Sequence, residues 1–209
     1  YTKLPYDVSR DLTPIMVVGK APLVLVVNAS FPAKSLGDLM KMVRTNPAGF
    51  SYASAGSGSP VHLAAEMFKA TTGLDIVHVP YRGQGPAMTA LLAGDVDLFF
   101  NQSAPAIASI KGDLNIGLAV TTATALEALP KVPPMAQACA LPGFESSTWY
   151  GLLAPAKLPA AITAKMSAAV TQVISTPAFK TWLVESQGIT PAQDPSPTAF
   201  AKIHRADIA

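Results

Sequence analysis

The stretch SYASAGSGSPVHLAAEMF, Ser51 to Phe68, decides how this chain is read. A short apolar run, FSYAS, leads into a loop of small residues and then into an amphipathic pattern that opens on Ser59-Pro60. Ser at the N-cap with Pro at the first helical position is a helix-start signature, and Gly73 supplies the stop. The reading is strand, glycine-rich loop, helix. Such a loop lets backbone N–H groups approach a phosphate, a reacting carbonyl or a carboxylate.

The same shape recurs downstream. DIVHVP reads as a strand and YRGQG as a loop, and Pro86 opens PAMTALLAG, which Gly94 closes. DVDLFF is a strand, NQSA a loop, and Pro105 opens PAIASIKG before the strand LNIGLAV. Upstream, LVLVVN (Leu23–Asn28) is a buried-type strand, followed by a helix from Ser35 carrying Leu36, Leu39, Met40 and Val43 on one face. Strands alternating with helices of this length predict βαβ units and a mainly parallel sheet. From Thr121 the chain turns proline-rich. A strand, TWYGLLAP, and three helices then start near Pro159, Pro177 and Pro197, the second ending at Gly188.

Composition narrows the function. With 50% hydrophobic and 13% charged residues over 209 positions, the chain can bury a core. A net charge of +2 without a Lys/Arg cluster leaves no footprint for nucleic acid. The single cysteine, Cys139, excludes a disulfide framework and a thiolate metal site; it reads as small core filler. No apolar run spans a membrane, since Lys20 and Pro22 interrupt the longest one. The opening YTKLPYDVSRDL reads as mid-protein linker and the final helix runs uncapped into Ala209, so both ends are expected to be cut.

Three glycine- or serine-rich loops feeding three helix N-termini point to an anion site. A helix N-terminus presents unpaired N–H groups and about half a positive charge. In open α/β sheets these loops lie at the carboxyl ends of the strands, where ligands bind. Catalytic motifs do not fit. GSGSPV places Val61 where a dinucleotide fingerprint needs Gly, and there is no P-loop lysine and no G-x-S-x-G. His62, His78 and His204 form no metal spacing, so no cofactor is expected. His78, mid-strand, reads as a satisfied structural histidine and His204 as solvated. His62, in the first helical turn, either donates to an anion or bonds the loop backbone. Tyr81 and Arg82 stand at the second loop, as an anion-facing pair or as a packed phenol and a solvated guanidinium. Asn101 ends DLFFN, where it either reaches the same space or forms an Asx turn. Trp149 and Tyr150 read as core aromatics or ligand contacts.

YASAGSGSPVHLAAEMF, VHVPYRGQGPAMTALLAGDVDLFF and STWYGLLAPA, with flanking KLPYD, FPAKSLGDL and LPKVPPMAQA, resemble the Bug family, the periplasmic receptors of tripartite tricarboxylate transporters. The resemblance implies a type II periplasmic-binding-protein-like α/β fold, with two lobes joined by two crossing strands and closing on a carboxylated solute that passes to a membrane permease. Residues 24–120 would form the lobe with the anion loops; residues 1–23 and 121–209 would form the other. The family's usual first strand, its Pro/Gly-rich loop and the elements after them are absent, so that lobe is expected to be incomplete. By position the resemblance implicates Ser54, Gly56 and Ser59, then Tyr81 and Gly83, with His62 after them. Where the family often has Asp, this chain has Asn101, which cannot neutralise a ligand ammonium. The expected cargo is therefore a di- or tricarboxylate or an aromatic acid without an amino group. The expected protein is a monomeric, non-enzymatic, periplasmic receptor. The rival is a hydrolase or other enzyme using Ser54 or Ser59 with His62.

Overall fold

A strand of 17 residues, β1 (Leu12–Asn28), is the spine of the molecule. It follows a single turn, α1 (Val8–Asp11), whose N–H groups are capped by Asp7. The computed structural model describes residues 5–208. The start of the expected linker, residues 1–4, and Ala209 lie outside them. Only Leu23–Asn28 of β1 was expected to be a strand. The extension passes through Pro22 because this residue lies where β1 changes partners: Gly19 and Lys20 pair with Pro191 and Thr190, whereas Leu23 pairs with Gln102. A missing N–H between two ladders leaves neither ladder short of a donor.

The elements that follow are α2 (Leu36–Thr45), β2 (Ser51–Ser54), α3 (Pro60–Thr72), β3 (Val77–Pro80), α4 (Gln84–Ala93), β4 (Leu98–Gln102), α5 (Ser103–Lys111) and β5 (Asn115–Val120). After a long connection holding one helical turn, α6 (Met135–Ala138), come β6 (Ser147–Pro155), α7 (Ala160–Ile174), α8 (Pro177–Thr181), β7 (Thr190–Pro191) and α9 (Pro197–Ile208). Ser35 and Ser59 cap α2 and α3 through their side chains, and Gly73 and Gly94 end α3 and α4 in the left-handed region. Two helix starts differ from expectation. α4 begins at Gln84 and α5 at Ser103, so Pro86 and Pro105 lie inside the first turn instead of opening it. A first turn has no use for those N–H groups, which is why proline is accepted there.

The strands order as β3-β2-β4-β1-β5, with β6 and β7 pairing along β1. β2 runs parallel to β3 and β4, whereas β1 is antiparallel to both β4 and β5. The expected parallel set is present, but it is split by an antiparallel strand. The connection Ala29–Phe50, carrying α2, returns the chain to the edge of the sheet it has just left. β1 therefore ends where β2 begins.

The chain divides into two compact units. Unit 2 holds Pro22–Thr148 with Ser186–Gly188; unit 1 holds the residues before Pro22, Trp149–Glu185 and the residues from Ile189. The chain passes between them within β1 and within β6, and again on either side of Ser186–Gly188. The core of unit 2 runs from Leu23–Val27 of β1 through Tyr52, Phe68, Phe99 and Phe100 to Ala119 and Val120. Leu126, Leu129, Val132, Met135 and Phe144 from the proline-rich connection belong to this same core. Those apolar side chains are what attach the stretch after Thr121 to unit 2. In unit 1, Ile15, Met16 and Ala154 are buried beneath Leu152, Met166 and Val170. His204, expected in solvent, is 7% exposed and packs edge-on to Trp149 and Phe200. The polar handle there belongs to Trp149, whose Nε1 donates to Asp207 Oδ2 at 2.6 Å. Tyr150, by contrast, is exposed.

Candidate functional site

The carboxyl ends of β2, β3 and β4 gather the expected residues on one edge of unit 2. β2 ends on Ser54, which is fully buried. The loop after it turns at Gly56, whose φ of +118° is open only to glycine, and a Cβ there would meet the Tyr81 carbonyl oxygen at 3.5 Å. The loop is tied to itself. Gly56 N–H donates to Ser54 Oγ at 3.1 Å, and the Ser59 hydroxyl donates to Gly56 O at 2.6 Å. Ser59 Oγ also accepts the His62 N–H at 3.4 Å. His62 takes its backbone-bonding role, because Nδ1 accepts the Gly58 N–H at 3.2 Å. That bond requires a bare Nδ1 and leaves the ring proton on Nε2.

Strand β3 delivers the second loop. Tyr81 N–H donates to Ser54 O at 3.0 Å, which fixes the two loops side by side, and the Tyr81 ring packs against the core of unit 2. Gly83 caps α4 with a φ of +117° and no side-chain bond. Arg82 is exposed. Cys139 is partly buried against the core, and burial pushes its thiol above its ordinary pKa.

Asn101 is the polar group that stands out. It lies two residues beyond the Ala53–Phe99 pair that joins β2 to β4, on the same edge as Ser54. It is 1% exposed, and neither Oδ1 nor Nδ2 has a hydrogen-bond partner. No Asx turn uses it. A buried amide left unpaired costs about 1–3 kcal/mol for each orphaned group. The next residue but one, Ser103, is equally buried, but its hydroxyl is engaged by Gln187 O at 2.6 Å.

Sequence reasoning missed one member. Ser54 Oγ meets His78 Nε2 at 2.6 Å, not His62. His78 stacks on Tyr52 at 4.8 Å and meets the His62 ring at a tilt of 36°, with centroids 4.3 Å apart. Tyr52 in turn bonds Glu66 Oε1, which Lys69 approaches at 3.0 Å. Burial holds the Tyr52 phenol well above its usual pKa, with the Glu66 bond adding to the effect. The Glu66 carboxyl is lowered, chiefly by that same bond. Parallel pairing of SYAS with VHVP sets Tyr52 opposite His78 and puts Ser54 two positions along on the same face, a signal legible only once the strands are paired.

This arrangement sets small side chains beside helix-start N–H groups, which suits anion capture. The Ser59 hydroxyl is bound to a carbonyl, and His62 is turned to the loop backbone. Neither serine therefore forms the pair with His62 that the rival enzyme reading required. Among the described residues, no group of three or more His, Cys, Asp or Glu is placed to hold a metal ion.

The family model for the tripartite tricarboxylate transporter family receptor matches residues 1–202. The chain belongs to that receptor family. It is 36% identical over 177 residues to a Pseudomonas sp. (strain P51) protein encoded in a tcbD–tcbE intergenic region, covering 85% of this chain and 53% of that protein. It is 34% identical over 152 residues to BugT of Bordetella pertussis, covering 73% and 46%. Among solved structures, an R. palustris protein with adipate superposes with a TM-score of 0.93 at 30% identity, covering 100% of this chain and 69% of that one. MatC from Rhodopseudomonas palustris with bound malate gives 0.89 at 27% identity, covering 100% and 71%. The periplasmic binding protein BugD gives 0.91 at 26% identity, covering 99% and 69%. Superposition over nearly the whole chain gives it the α/β fold of the periplasmic binding protein BugD. The chain spans about half to three-fifths of the length of the curated relatives it matches.

Proposed function

We propose that this chain serves in an extracytoplasmic receptor that captures a small organic carboxylate and passes it to a membrane permease. Capture takes place at the carboxyl edge of β2, β3 and β4. Ser54, Gly56, Ser59 and His62 contribute from the first loop, Tyr81 and Gly83 from the second, and Asn101 from the end of β4. The observation that carries this reading is Asn101, a buried amide with both polar atoms unpaired near the end of β4, two residues before α5 begins. A helix end favours an anion by about 0.3–1 kcal/mol, and by up to about 2 kcal/mol when partly buried. Micromolar affinity needs about 8 kcal/mol, so direct hydrogen bonds and closure around the solute supply most of it.

Membership of a receptor family, with adipate and malate in two structural neighbours, supports the cargo class. Among the described residues, no helix is long and apolar enough to cross a membrane. The receptor would act in the periplasm as a monomer. An uncharged carboxamide at position 101 selects acids without an ammonium group.

Calorimetric titration with adipate, malate, aspartate and glutamate tests the reading. Adipate or malate should saturate one site and be recovered unchanged. Tighter binding of the amino acids would remove the role given to Asn101. Turnover of the bound acid would remove the receptor reading itself.

A further inference from the structure

The buried Ser54 hydroxyl lies between two nitrogen atoms, and their protons decide what it can offer a ligand. A hydroxyl has one proton and two acceptor positions. Gly56 N–H fills one acceptor position. If His78 carries a proton on Nε2, it fills the other and the hydroxyl proton is left free. If Nε2 is bare, Ser54 must donate to it, and only a lone pair faces outward. A lone pair repels a carboxylate; a free hydroxyl proton bonds one.

We propose that His78 holds its proton on Nε2 and so turns the Ser54 hydroxyl proton toward a ligand carboxylate, which makes His78 a positioning residue for capture. The inference rests on the carboxylate reading of the site. The surroundings fix the ring but leave its proton to be chosen. Tyr52 stacks on it nearly parallel, with an interplanar angle of 15°, and His62 covers it at 4.3 Å. The charged and titratable groups acting on His78 are His62, Glu66 and Lys69, all from α3. Burial, then His62 and more weakly Lys69, hold the imidazole below its ordinary pKa, while Glu66 pulls the other way. Near neutral pH the ring is therefore uncharged, and the choice lies between its two tautomers.

Two-bond proton–nitrogen spectra of the chain labelled with 15N-histidine, between pH 6 and 8, read that tautomer directly, with His78→Gln assigning the signals. A protonated Nε2 and a bare Nδ1 at His78 are expected, and the opposite tautomer overturns the proposal. Adipate is then titrated into wild type, Ser54→Ala, His78→Phe and His78→Gln. Phe keeps the stack and removes the donor, whereas the Gln amide restores an N–H toward Ser54. Ser54→Ala and His78→Phe should each weaken binding about tenfold, the loss of one hydrogen bond to a charged group, while His78→Gln stays within about threefold of wild type. If Ser54→Ala leaves binding unchanged, the carboxylate reading at this residue fails. If Ser54→Ala weakens binding but His78→Phe does not, the positioning role alone is lost. Should adipate not bind the wild type, the tautomer still decides.

Discussion

Helices α3 and α7 are built from similar material, alanine-rich and amphipathic, yet they end up in opposite circumstances. α3 in unit 2 buries Val61, Ala64, Ala65 and Phe68 against β2 and β4. α7 in unit 1, two residues longer, has no buried residue at all; Ile162 and Val173 are about half exposed. Periodicity tells which face of a helix is apolar, but burial depends on what lies across from it. Unit 2 has a continuous core reaching both faces of its sheet, whereas the buried centres of unit 1 are small clusters such as Ile15, Met16 and Ala154.

The sharpest way to break this contrast is to truncate each centre. Phe100 is fully buried and packs with Phe68, so Phe100→Ala should cost about 3–5 kcal/mol in urea unfolding. A loss below 1 kcal/mol would mean that unit 2 is not the stable half. Next come two glycines in contact with different things. A Cβ at Gly19 in unit 1 would lie 2.4 Å from the Thr190 carbonyl oxygen, whereas one at Gly117 in unit 2 would meet the side-chain ends of Ile110 and Val132 at 2.8 and 2.9 Å. Backbone cannot step aside, and side-chain ends can. Gly19→Ala should therefore destabilise by about 1–3 kcal/mol and Gly117→Ala by less, as read by thermal melting. Equal effects would show that unit 2 is as rigid at its rim as unit 1 is at β7.

Ser59→Ala removes the cap of α3 and should lower stability by about 1 kcal/mol in the same melts. A smaller, pH-dependent effect comes from His78. Its folded pKa lies below the ordinary value, so its contribution is complete above about pH 6.5 and is lost as pH falls through the folded pKa. Urea midpoints between pH 7.5 and 5 should decline less in His78→Gln than in wild type. The smallest change is predicted for α7, where Ile162→Ser should stay within about 0.5 kcal/mol of wild type. A larger loss would show that this helix face is covered in solution.

Local chemistry was legible in the chain itself. Ser35, Ser59, Gly73 and Gly94 mark helix ends because a cap is satisfied by residues three or four positions away. The small residues between Ser54 and Ser59 marked a loop for the same reason, whereas Gly83 was singled out only through the family resemblance. Proline gave weaker guidance: it shows that a first turn is near but not which of its positions it occupies, hence the displaced starts of α4 and α5.

What the tertiary structure alone decided were meetings between residues distant in sequence. The antiparallel placement of β1 between β4 and β5 depends on which ladder Leu23–Asn28 joins, and an apolar run fits either direction. The pairing of Ser54 with His78 follows from the register of two short parallel strands. The burial of His204 beside Trp149 and the isolation of the Asn101 amide depend on neighbours that no spacing along the chain specifies. Caps and turns are short-range hydrogen bonds, written where they act. A binding site gathers side chains that only the folded sheet brings within reach.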